Sequence, residues 1–397
     1  MFQKRGLKKE EKGFFANHKL AITSTTLMGT VIGAGILGIP YVVAQVGILY
    51  GFLLMLFLGL AFLVINLFVG EIVLRTKEQH QLSGYAEKYL GKWGKRIMTF
   101  SLLVGLYGAL TAYLIGEGAT LYSVFNFGSP LLFSLIFFII TFLIIYKGIK
   151  ATGKAELILI SLLFLVVLLI GIFSFKQISF SNLTHSNITK LFIPYGVILF
   201  AYMGLPAIPE LQEQLGKEKK KLKSAIIIGS TIPIALYTIF SIIVIGVVGL
   251  GNFELLGSND KIATIALSIY SQPILGMFAN ILAVLAMFTS FLTIGIALSE
   301  MFEYDYNFSR RISLLLTFSI PLLITLLKLS SFIMVLGITG AIAGGLDGIL
   351  IVLMYWKAKL KGNRKPEYSL PKLKWLGIFL MGLFALGIIY QIWTNFF

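Results

Sequence analysis

Two short stretches combine glycine and proline in a way that frees main-chain atoms for chemistry. The first runs Gly29-Thr-Val-Ile-Gly-Ala-Gly-Ile-Leu-Gly-Ile-Pro40 and the second Phe200-Ala-Tyr-Met-Gly-Leu-Pro-Ala-Ile-Pro209. Glycine costs about 1 kcal/mol in a helix interior and proline about 3, so a plain membrane anchor would avoid both runs. A helix broken in lipid exposes N–H and C=O groups that hydrocarbon cannot satisfy. Such a break persists only where it is buried in protein or faces a polar cavity. The N–H groups freed around Ile32, Gly33, Ala34 and Gly35, at the positive end of the following half-helix, suit a carboxylate. Freed carbonyls suit an ammonium or a cation. In the second stretch the backbone of Phe200, Ala201, Tyr202, Met203 and Gly204 offers the same acceptors, and Phe200 or Tyr202 can pack on a ligand's side chain. The register Gly35-x-x-x-Ile39-Pro40 recurs as Gly204-x-x-x-Ile208-Pro209. Paired interruptions in corresponding positions of two halves point to a transporter's binding site.

Side chains add fewer candidates. Tyr107 and Tyr113, in the third apolar segment, could each donate a hydroxyl to a carboxylate, and one sequence does not choose between them. An acid at mid-bilayer costs at least about 2.5 kcal/mol, so each one within an apolar segment calls for a reason. Glu71 has Arg75 one turn on and reads as a local pair. Glu210 follows the second interruption, while Glu117 and Asp347 lack a partner nearby in sequence. These three are candidates for proton-linked gating. His18, His80 and His185 fall outside the segments, which argues against a histidine relay. The absence of cysteine excludes disulfides and thiolate chemistry. No metal-ligand cluster, Ser–His arrangement or phosphate-binding loop is evident, so an enzyme is the least favoured reading and no cofactor is expected beyond a coupling ion.

These residues need elements that hold them in a membrane. The chain is 57% hydrophobic and 13% charged, with mean hydropathy +0.91, as in polytopic membrane proteins. Apolar segments fall at 20–46, 48–74, 95–124, 129–147, 155–175, 191–213, 224–250, 273–301, 312–329, 331–356 and 373–396, which predicts eleven spans. With a cytoplasmic N-terminus, all but Lys176, Lys190, Lys261 and Lys328 of the 33 basic residues fall on the cytoplasmic side. The net charge of +16 is therefore an orientation signal helped by anionic lipid, not a nucleic-acid footprint. Residues 1–19 read as a cytoplasmic tail, 82–94 as an interfacial amphipathic helix, and 251–272 as containing a short lid-like helix. Interruptions in spans one and six imply two repeats of five spans, 20–175 and 191–356. The odd number inverts the second repeat, and the eleventh span, 373–396, leaves the C-terminus extracellular.

The first stretch, with Ile32-Gly33-Ala34-Gly35-Ile36-Leu37-Gly38-Ile39-Pro40, resembles the first span of the amino acid/auxin permease and aromatic amino acid permease families. Phe200-Ala-Tyr-x-Gly204 with Ile208-Pro209-Glu210-Leu211 resembles their sixth span, and Thr289-Ser290-Phe291-Leu292 their eighth. The resemblance places the chain in the amino acid–polyamine–organocation superfamily. It implies an all-α, leucine-transporter-type five-plus-five inverted repeat with discontinuous spans one and six. It also implies uptake of amino acids coupled to Na⁺ or H⁺. In sodium-using relatives, hydroxyls of span eight join first-span carbonyls around the ion; here these would be Thr289, Ser290 and Thr293 with Gly29 and Ile32. Leu163 stands where some proton-coupled relatives carry a span-five lysine, which leans toward Na⁺. With no cation placed for an acidic side chain, a neutral aliphatic or aromatic amino acid is the expected substrate. The alternative is another small solute on the same fold: a polyamine, nucleobase or auxin-like compound. Oligomeric state is left open.

Overall fold

The computed structural model describes residues 18–148, 153–304 and 306–396, so most of the expected tail lies outside the described residues. Every described element is helical. Near-continuous apolar runs in lipid can satisfy their backbone only internally, and the helix does this within one segment.

The first apolar stretch is two helices, α1 (Lys19–Val31) and α2 (Gly35–Val46), bent by 57° at the break between them. A turn at Gly47, whose φ of 91° favours glycine, leads into α3 (Ile48–Leu74). Helix α4 (Leu82–Phe125) contains a second positive φ at Gly91, which sets its amphipathic first turns apart from the membrane-length remainder. The turns before the kink fall within the stretch 82–94 expected to form an amphipathic helix. Helix α5 (Pro130–Tyr146) opens on Pro130 and is capped by Ser129, whose hydroxyl accepts from the Leu132 N–H. Helix α6 (Gly153–Ser174) follows. The second interrupted stretch gives α7 (Tyr195–Tyr202) and α8 (Ile208–Leu215). Then come α9 (Leu222–Leu255), the short α10 (Ala263–Tyr270) within the expected 251–272, α11 (Pro273–Tyr304), α12 (Arg310–Leu326) and α13 (Phe332–Thr339). A π-helical turn, Gly340–Gly344, joins α13 to α14 (Gly345–Lys361), and α15 (Lys374–Phe396) ends the chain. Among the described residues seven helices are long and apolar enough to cross a membrane, and the bent pair α1/α2 makes eight. The other stretches read as spans are the second broken pair and the 17-residue helices α5 and α12.

The helices sort into two packed groups. Helix α9 lies against α1, α2 and α3, and α4 lies against α5, α11 and α12. Asn66 of α3 donates to the Ser230 hydroxyl of α9 at 3.0 Å, both buried, a polar tie of the kind that holds helices together where lipid removes any hydrophobic drive. Helices α13 and α14 bridge the groups, touching α4 and also α7 or α3.

Glu71 does more than pair with Arg75. Fully buried at the end of α3, its carboxylate accepts from Arg75 Nε, Lys359 Nζ and the Leu370 N–H, each at 2.7 Å, and from Ser369 Oγ at 3.1 Å. Arg364 reaches the Leu74 carbonyl and Tyr368 the Leu67 carbonyl, so the connector between α14 and α15 is strapped onto α3. On the rim nearby, Lys88 and Asn363 hold the exposed Glu78 carboxyl down at about 2. Removing the Glu71 carboxylate strands two cations. Glu71→Leu should lower stability by about 3–5 kcal/mol, as for a broken buried pair. Glu367→Gln, which breaks a partly exposed pair with Arg364, should cost under about 1 kcal/mol. Melting in detergent reads both.

Candidate binding site

The first break spans Ile32, Gly33 and Ala34. Ile32 leaves the helix with φ −85° and ψ 88° while its N–H still bonds Met28 O at 2.6 Å, and Gly33 N–H turns back to Val31 O at 3.1 Å. Pro40 is not the cause. It lies inside α2, where the carbonyl it forgoes belongs to Ile36 in the helix's first turn. The opening is made by the glycines, each of which lets another group come close. A Cβ on Gly33 would sit 2.9 Å from the Tyr113 hydroxyl, and one on Gly35 would sit 2.5 Å from Cα and Cβ of Ala201.

The second break lies slightly later than the sequence suggested. Phe200, Ala201 and Tyr202 are still helical; Met203 turns extended at φ −67° and ψ 114°, and Gly204 follows at φ −145° and ψ 7° before a 3₁₀ turn, Leu205–Ala207. The reason is Pro206. Its ring opposes the carbonyl four residues back, at Tyr202, and disfavours helix at Leu205, so the helix runs to Tyr202 and stops. A Cβ on Gly204 would meet Val31 at 2.6 Å. The breaks therefore pack directly on one another, Gly35 against Ala201 and Gly204 against Val31.

Of the two tyrosines, Tyr113 reaches the opening. It is buried on α4, and its hydroxyl engages the Ala34 main chain and the Ser290 hydroxyl. Tyr107 is corrected: its hydroxyl donates to the Leu316 carbonyl of α12 at 2.9 Å. Tyr202 also turns away, its ring 5.5 Å from that of Tyr237 on α9 and against Gly59 of α3. Phe200 and Met203 stay half-buried, Met203 approaching Gly105 and Gly344.

The hydroxyls of α11 do not converge as a set. Ser290 joins Tyr113 at the break, Thr289 spends its hydroxyl on the Leu285 and Ala286 carbonyls of its own helix, and Thr293 is exposed. Such back-bonding is the usual fate of threonine in an apolar helix. Gly29 packs against Ile160 of α6. Among the acids, Glu210 is exposed, in the first turn of α8. Glu117 is wholly buried with neither oxygen hydrogen-bonded, four residues beyond Tyr113 on the same face of α4. Asp347 is buried beside Ser101, just past the π turn.

That π turn escaped the sequence reading. It lies against α7 so closely that a Cβ on Gly340 would sit 2.5 Å from the Phe200 N. The glycines at 340, 344, 345 and 348 were its signal. Tyr237 was missed as well. Its buried hydroxyl contacts the Val31 carbonyl at 2.9 Å and the Ala201 carbonyl at 3.0 Å, one from each break. Beside Gly33 a cavity of about 30 Å³, lined by apolar groups including Ile36, Phe240 and Met287, has room for about one water and not for an amino acid side chain.

Residues 16–394 match the tryptophan/tyrosine permease family. The chain is 31% identical over 389 residues to tyrosine-specific transport system 1 of Haemophilus influenzae, with 93% of this chain and 94% of that one covered. It is 28% identical to glutamine transporter 2 of Aliivibrio fischeri, with 82% and 86% covered. Among solved structures, MhsT in complex with L-phenylalanine aligns with a TM-score of 0.69 at 18% identity, covering 94% of this chain and 98% of that one. That likeness is one of fold, the leucine-transporter type.

The close approach of the breaks makes a prediction about alanine. Gly35→Ala should destabilise by about 1–3 kcal/mol through overpacking against Ala201. Gly382→Ala, where a Cβ meets nothing within 4 Å, should be neutral or stabilise by up to about 1 kcal/mol. Thermal melts of the purified variants check the contrast.

Proposed function

The chain belongs to the tryptophan/tyrosine permease family and is a multi-pass membrane transporter rather than an enzyme; from that premise we propose that it imports neutral amino acids, aromatic ones foremost, by alternating access. The observation that carries this reading is the meeting of two broken helices with the Tyr113 hydroxyl aimed at the first. The substrate carboxylate binds the N–H groups at the start of α2 together with Tyr113. Its ammonium takes the carbonyls left open where α7 ends. Phe200 packs on the side chain. No lysine or arginine stands at either break, which favours a side chain without negative charge. The relatives named for tyrosine and tryptophan support an aromatic substrate, and the one named for glutamine keeps the class broad.

The two packed groups suggest the motion. The group around α9, with both broken helices, rocks against the group around α4. The space beside Gly33, too small for a side chain, fits an arrangement that rocking must widen. We propose eleven spans in two inverted five-span repeats, with the N-terminus cytoplasmic and the C-terminus outside. For the coupling ion, the geometry favours H⁺ over the Na⁺ that Leu163 suggested. Thr289 is spent on its own helix and Thr293 is exposed, whereas Glu117 sits buried and unpaired one turn from Tyr113. An unpaired buried charge is costly, which fits Glu117 to take up a proton as the site closes.

Uptake into proteoliposomes of labelled tyrosine, tryptophan, phenylalanine and glutamine, under imposed pH and Na⁺ gradients in turn, tests the proposal. Tyrosine or tryptophan should accumulate under the pH gradient. Tyr113→Phe should raise KM about tenfold, the worth of one hydrogen bond to a charged group, and Tyr107→Phe should stay within about twofold. Uptake of none of the four under either gradient would overturn the amino acid assignment; accumulation driven by Na⁺ alone would overturn the proton.

A further inference from the structure

In an unbroken helix the Val31 carbonyl would accept from the Gly35 N–H and the Ala201 carbonyl from the Leu205 N–H. The breaks carry both of these helical donors away; the Gly33 N–H turns back to Val31 O at 3.1 Å, which leaves that oxygen with one lone pair unfilled. Each carbonyl then sits at the C-terminal, partly negative end of a half-helix in a water-poor interior, where an unsatisfied acceptor is expensive. Both converge on one atom, the Tyr237 hydroxyl, at 2.9 and 3.0 Å. Tyr237 belongs to neither broken segment; it reaches in from α9, wholly buried. We propose that Tyr237 is a positioning residue that latches the two breaks together, its single O–H proton shared between one carbonyl of each. It thus holds the relative placement of α1 and α7, and with it the alignment of both binding backbones, while touching no substrate. Because one proton serves two acceptors of nearly equal distance, either carbonyl can be released without breaking the link to α9. This allows the breaks to separate in steps.

The control lies beside it. Tyr202, whose ring packs 5.5 Å away, is also buried, but its hydroxyl has no hydrogen-bond partner. Loss of an oxygen from either ring is the same chemical change, and only one should open the breaks. The chain has no cysteine, so a lone Met203→Cys at the second break reports opening through its rate of reaction with a small membrane-permeant maleimide, whatever the transported solute. Adding Tyr237→Phe should speed labelling about five- to tenfold, the effect of one buried hydrogen bond on a local opening equilibrium, and adding Tyr202→Phe should leave it within about twofold. If Tyr237→Phe does not reach the membrane, Tyr237→His takes its place. The imidazole is too short to span both carbonyls, and the same acceleration is expected. A rate unchanged by the Tyr237 substitution that folds, or an equal acceleration by Tyr202→Phe, would overturn the latch. The labelling needs no substrate, so it stands apart from the amino acid assignment: failed uptake with accelerated labelling would strike that assignment alone.

Discussion

Lipid offers no hydrogen-bond partner to a main-chain amide, and the arrangement of this protein follows from that constraint. Wherever the sequence breaks a helix, something else in the protein must face the exposed groups. At the two breaks the answer is mutual. Gly35 and Gly204, lacking side chains, let α2 approach α7 and the second break approach α1. Tyr237 covers a carbonyl from each, and Tyr113 covers the Ala34 main chain. What a helix would have satisfied by itself is distributed over four segments of the chain. A small zwitterion, with acceptors at one end and donors at the other, is the ligand chemistry that such a surface can exchange for its own bonds.

The fold was legible because its signals are local. Apolar run length marked the stretches that became helices, and the Gly91 kink set off the amphipathic segment read from its mixed charges and aromatics. The first break was legible to within one residue, since Gly33 and Gly35 are unusual where they stand, although Gly35 itself opens α2. The second was read too broadly, as Phe200–Gly204, and only Met203 and Gly204 open, because Pro206 acts on the carbonyl four residues back and lets the helix run to Tyr202. Side-chain roles were less legible. Tyr107 and Tyr113 are equivalent as sequence; only tertiary packing gives one to Leu316 and the other to Gly33. Tyr237 carries no sequence signal at all, because a tyrosine in a long apolar helix has no pattern until its partners, more than thirty residues away, are in place. Thr289 shows the converse case, a hydroxyl in the expected position that its own helix captures.

The division into two packed groups gives the breaks a mechanical meaning. Helices α1 and α2 pack on α9 and α7 packs on α2 and α3, and the first break is faced by Tyr113 of α4 and Ser290 of α11, from the other group. A ligand bound there touches both groups at once, so its affinity depends on how they sit, which is what alternating access requires of a binding site. The Glu71 cluster lies at one end of the same machinery, tying α3 of the first group to α14 and the connector that follows it.

The central claim is that an amino acid's charged ends replace main-chain hydrogen bonds at the two breaks. A cryo-electron microscopy structure determined with saturating L-tyrosine tests it most directly. The account predicts the ligand carboxylate within hydrogen-bond distance of main-chain N–H groups between Gly33 and Ile36 and of the Tyr113 hydroxyl, with its ammonium against the carbonyls that end α7. Density for the ligand elsewhere, with both breaks packed as they are here, would contradict it.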